Sequence, residues 1–134
     1  MISHHAALVY TMVLVSASDR EMPDIELRQI GEIIRGLPVF ADYDSSTLPQ
    51  TTAACAELLD EPDGLDKAVA MIAAALPLKL HETAYALACD IAAADGRVPV
   101  EEMRMLEMIR HALDIDRLSA AAIERGARAR FTKL

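Results

Sequence analysis

Two stretches of the chain, 76 positions apart, spell one pattern: Asp-x-x-[apolar]-Pro-x-x-Glu-[apolar]-Arg. Asp19, Met22, Pro23, Glu26, Leu27 and Arg28 fall on Asp95, Val98, Pro99, Glu102, Met103 and Arg104. The match continues as spacing, because Ile30, Ile33 and Leu37 fall on Leu106, Ile109 and Leu113. Each copy runs from the end of one apolar helical stretch into the start of another, so the chain is expected to hold one helix pair twice. Two copies of a helix pair leave little room for any architecture but a helical one.

The remaining residues agree with that constraint. Apolar residues make up 53% of the chain and aromatics 4%, with no Trp, so the core must come from Ala, Leu, Ile, Val and Met, which suit helices better than strands. No stretch alternates with period two for long enough to be a strand. Gly, Pro and polar links divide the chain into helices of about Ser3 to Ser18, Asp24 to Gly36, a third opening near Thr47 and ending before the polar link Asp60 to Gly64, a fourth from that link to Leu76, and then Lys79 to Ala94, Val100 to Leu113 and Asp116 to Ala129. Thr47 and Gln50 are expected to open the third as a capping box, with Pro49 in its first turn. The expected fold is all-α, a compact bundle of about seven helices in a single domain over residues 1–134.

Charge excludes one class of partner. With 21 acidic and 13 basic residues the formal charge is −8, the wrong sign for neutralising phosphates, so nucleic acid is not expected. The uncharged stretch Ala6 to Ser18 has thirteen residues, short of the roughly 20 that a spanning helix needs. No basic region precedes it and no small-residue cleavage site clearly follows, so neither an integral membrane segment nor a signal peptide is expected. Cys55 and Cys89 lie 34 positions apart without a CxxC spacing, and both read as small core residues of a cytoplasmic protein.

The repeated carboxylates carry the chemistry. Glu26 heads the stripe Ile30, Ile33, Leu37, and Glu102 heads Leu106, Ile109, Leu113, so each glutamate starts the inward face of its helix. Asp19 ends the stripe Leu8, Met12, Val15, and Asp95 ends Ala84, Ala88, Ile91. A negative group near a helix C-terminus is disfavoured by about 0.3–1 kcal/mol, so the aspartates are not there as caps. Capping by the glutamates is compromised as well, because Pro23 and Pro99 lack the N–H that a capping box uses. Two carboxylates about 5 Å apart repel by roughly 3 kcal/mol at an effective dielectric of 20, so a cation, an arginine, a proton or separation must compensate. Asp and Glu oxygens suit a hard ion such as Ca²⁺ or Mg²⁺, held weakly because two side chains per site fall short of a coordination shell. The competing reading keeps the four acids as structural holders of the turns.

The segment Ala86 to Arg110, with Ala-Ala-Asp-Gly-Arg-Val-Pro-Val-Glu-Glu-Met-Arg at its centre, resembles the TerB-like domain of bacterial tellurite-resistance and related stress systems. It is also similar to the N-terminal module of the membrane co-chaperone DjlA, and Ala7 to Leu37 looks like the family's first copy. The resemblance implies a bundle of about seven helices with paired acidic motifs near a pseudo-twofold axis, a non-catalytic role and divalent-cation binding by Asp19 with Glu26 and Asp95 with Glu102. The chain departs from the pattern at Pro23 and Pro99, where the family often has Ser or Thr, and at Arg20, where it has Gly.

Other motifs yield less. His81-Glu82 opens like a zinc-protease helix, but Tyr85 stands where the second His is required. Asp60 to Asp66 cannot be an EF-hand loop, since Gly64 as the sixth residue would put Leu59 first and Ala70 last. His4 and His5 read as residues of a mobile terminus, and His111 as a dipole contact in a last helical turn. Met103 is expected in the core against Leu106, with Met105 and Met108 beside it; an exposed Met surface for a protein partner or a second copy is the alternative. Asp90 interrupts an apolar helix and could face solvent, pair with an arginine or join the acids. Arg125, Arg128, Arg130 and Lys133 form a basic end, read as a solvated helix end that suits the dipole, with contact to an acidic partner or a membrane surface as the alternative.

Overall fold

The computed structural model describes residues 1–19, 24–94 and 100–134, without the side chains of residues 19 and 24–26. These residues form seven α-helices and no strand: α1 (His4–Ser16), α2 (Asp24–Arg35), α3 (Leu48–Leu59), α4 (Gly64–Ala75), α5 (His81–Ala94), α6 (Val100–Ala112) and α7 (Arg117–Arg130). Single 3₁₀ turns occupy Ala17–Asp19, Pro38–Phe40, Ser45–Thr47 and Leu78–Leu80. The fold is an all-α bundle as expected, with helix ends that differ from the sequence reading by a turn or less. No described helix is long and apolar enough to cross a membrane.

Helix α1 is buried from Ala7 through Ser16, on every side. Ser3 caps it, its Oγ accepting from the Ala6 N–H at 3.0 Å. A helix without a polar face has to be enclosed, and α2, α3, α4, α5 and α6 all pack against it. Leu8, Val9, Met12, Val13, Leu14 and Val15 have no solvent exposure, and each such side chain stabilises the fold by about 1.5–3 kcal/mol. Thr11 is buried among them because its hydroxyl donates to the Ala7 carbonyl at 2.8 Å. Helix α7 stays outside this shell and packs along α5.

The connections are held by specific polar contacts. Asp116 caps α7, its carboxylate accepting from the Ser119 N–H and hydroxyl at 2.8 Å each, and these bonds hold its pKa below the usual carboxylate value. At the start of α5, both ring nitrogens of His81 face carbonyl oxygens: Nδ1 lies 3.0 Å from Leu113 O and Nε2 3.2 Å from Leu76 O. The residue that fails as a zinc ligand therefore joins the end of α4 to the link between α6 and α7. That link turns at Asp114, with φ 53°, while Ile115 N–H bonds back to Arg110 O at 3.0 Å and Asp114 N–H to His111 O at 3.1 Å. This is a Schellman termination with Asp in the left-handed position.

Three sequence expectations are corrected. Thr47 does not cap α3: it is already helical, and its hydroxyl donates to Asp44 O at 2.7 Å. Asp44 caps instead, one turn earlier, accepting from the Ser46 N–H at 3.0 Å, because a 3₁₀ turn leads directly into α3. His5 is not a loose terminal residue. Its Nε2 lies 2.7 Å from Val39 O and 3.5 Å from an Asp42 oxygen, and its ring stacks on Phe40 at 5.2 Å and meets Tyr43 at 5.1 Å. Met103 is 57% exposed rather than in the core. Glu102 takes the inward position one residue earlier, and a helix turns 100° per residue, so Met103 is carried outward while Met105 and Leu106 rest against the core.

Two substitutions test the connections. A Cβ on Gly64, at the α3–α4 turn, would sit 1.9 Å from Leu58 O, a backbone atom that cannot move aside. Gly64→Ala is expected to lower stability by at least about 1–3 kcal/mol in urea denaturation. Asp114→Gly relieves the left-handed strain and is expected to raise the unfolding free energy, by up to about 1 kcal/mol in the same denaturation.

Candidate functional site

Glu102 lies in the first turn of α6 and is 3% exposed. It heads an inward stripe in which Leu106 is partly buried and Ile109 and Leu113 are 2% and 1% exposed. The partial positive charge of the α6 N-terminus favours a carboxylate there. Asp19 closes the 3₁₀ turn after α1, and Glu26 lies in the first turn of α2; their side chains, and Asp95 altogether, fall outside the described residues.

Backbone packing relates the elements that carry the four acids. The turn Ala17–Asp19 packs against α6, the helix of Glu102. Helix α2, which begins two residues before Glu26, packs against α5, which ends at Ala94 next to Asp95. Contacts also join α1 to α2 and α5 to α6, so these segments form one packed set. One turn before Asp19, Ser16 is 1% exposed, and its hydroxyl makes no hydrogen bond among the described residues. Among those residues no three His, Cys, Asp or Glu side chains converge as a metal site.

A second feature was not legible in the chain. Helices α5, α6 and α7 enclose a groove of about 740 Å³. Its inner surface carries Cys89, Ala92, Leu106, Ala127 and Phe131, and Met103 lines it from α6. At one side the Tyr85 hydroxyl donates to Glu124 Oε2 at 2.5 Å. Burial, and then that bond to a carboxylate, raise the pKa of Tyr85. Burial pushes the Cys89 thiol up to about 12, and Cys55, inside the bundle, to about 12 as well.

Both Ala92 and Ala127 are small, and small residues on facing helices are the one trace such a space leaves in a sequence. Asp90, on the outer side of α5, pairs with Arg130 at 2.5 Å, which resolves its open reading and anchors the basic end of α7. No family model, curated protein or solved structure matches the chain.

The thiols give a pH dependence. Their folded pKa, about 12, lies above the reference of 9.0, so the unfolded chain ionises first. Their contribution is complete below pH 9.0 and is lost as the pH rises toward 12. Denaturation midpoints of the parent and of a Cys55→Ala/Cys89→Ala variant are expected to converge with rising pH over that window. A parent whose advantage is constant across it would show that the thiols do not ionise on unfolding.

Proposed function

We propose that the chain is a non-catalytic, TerB-like module of a tellurite-type stress or metal response in the cytoplasm, binding a divalent cation, Ca²⁺ or Mg²⁺, through Asp19, Glu26, Asp95 and Glu102. The observation that carries this reading is the burial of Glu102, a carboxylate at 3% exposure at the head of an apolar stripe, on a helix packed against the turn that ends at Asp19. Carboxylate oxygens are hard ligands, and they favour these two ions. Backbone carbonyls and water complete the coordination, so affinity is low. The high pKa of both thiols, which makes them poor nucleophiles, agrees with a role without covalent catalysis.

A second reading, an interaction module in which the acids only hold the turns, is favoured by the exposure of Val100, Met103 and Met108 on α6, at 58%, 57% and 37%. Partner contacts of this kind use flexible, polarisable Met side chains.

Titration with Ca²⁺, Mg²⁺ and Mn²⁺, followed by amide chemical shifts and calorimetry, separates the two. Saturable shifts at Asp19, Glu26, Asp95 and Glu102 are expected, with a stabilisation of about 2.7 kcal/mol at 100 times Kd. Glu26→Gln/Glu102→Gln should abolish both effects. A variant more stable than its parent, in a protein that takes up no ion, overturns the cation reading.

A further inference from the structure

The groove between α5, α6 and α7 has a polarity that the chain as a whole lacks. Arg110, Arg128 and Lys133 line it, and none of the three forms an ion pair among the described residues. Arg110 Nη2 lies 3.3 Å from His111 Nε2, a neutral contact when the ring is unprotonated. Three cations thus line one cleft of a chain with 21 acidic and 13 basic residues. Two acids also line it, Glu124, which accepts from Tyr85, and Glu107, 4.0 Å from His111, so the cations of the groove outnumber its acids by one. Between these charges the surface is hydrocarbon, from Ala92, Leu106, Ala127 and Phe131.

Size selects the class of occupant. The groove is lined by fourteen residues, fewer than the roughly 20–30 a side of a stable protein interface. Its 740 Å³ lies within the range of about 300–1,000 Å³ typical of small-molecule sites. An apolar body with one anionic end matches both the lining and the unpaired cations.

We infer that this groove binds a single long-chain carboxylic acid, its hydrocarbon chain against Ala92, Leu106, Ala127 and Phe131 and its carboxylate at Arg110, Arg128 and Lys133. No covalent step is involved, and the site stands independently of the cation reading, since none of its residues belongs to the acidic motifs except Met103, a backbone neighbour of Glu102.

The test is calorimetry of the full chain with dodecanoate below its micellar concentration, beside dodecyltrimethylammonium and dodecanol, together with amide shifts. Saturable uptake of one dodecanoate per chain is expected, with shifts centred on Ala92, Leu106 and Ala127 and binding of the cationic amphiphile weaker by about tenfold or more. Arg128→Glu/Lys133→Glu changes only exposed positions; it should keep the parent melting temperature and weaken dodecanoate by about tenfold or more. Equal affinity for anionic and cationic amphiphiles, non-saturable uptake, or unchanged binding by the charge-reversed variant overturns the inference. So does self-association that this variant abolishes in a protein that takes up no dodecanoate, which would make a second copy the occupant.

Discussion

The structure depends on one helix that has no polar face. Because α1 is buried all round, its neighbours cannot be arranged as a layer on one side; they must enclose it, and α2 to α6 do so. Everything else follows from that enclosure. Helix α7 arrives with no place left beside α1 and packs on α5 instead, which opens the groove between α5, α6 and α7. Ser16, in the last turn of α1, is buried and polar, and the chain leaves the core there through the turn that ends in Asp19.

Helix α6 serves two surfaces at once. Glu102 points into the bundle, while Met103, Leu106, Glu107 and Arg110 line the groove. The periodicity of 3.6 residues makes such a division possible on a helix of thirteen residues, because an inward stripe and an outward stripe can each recur every three or four positions. The proposed ion site and the proposed ligand site therefore adjoin on one helix, and Leu106, one turn after Glu102, borders both.

Much of the architecture was readable in advance, for physical reasons that also explain the failures. Pro and Gly mark helix ends by backbone chemistry that tertiary contacts rarely override, so all seven helices were found. Glu102 was placed inward correctly by its spacing from Ile109 and Leu113. Thr47 failed because a 3₁₀ turn ahead of a helix uses the same residue types as a cap, and the choice between Asp44 and Thr47 is made by backbone dihedrals. His5 failed because its partners, Val39, Phe40 and Tyr43, lie more than thirty positions away. The groove joins residues from three helices, and no local period records it. The two sequence copies also diverge: Leu14 is fully buried, while its counterpart Asp90 pairs with Arg130 on α7, which packs along α5.

The central position of α1 has a consequence for biosynthesis. This segment leaves the ribosome before any of the helices that enclose it, and two of them, α5 and α6, begin only at His81 and Val100. At about 5–20 residues per second, the most apolar helix of the protein waits for several seconds without its native cover. During that interval the nascent chain carries an adhesive segment whose cover has not yet been made, and slower translation of the later helices prolongs its exposure.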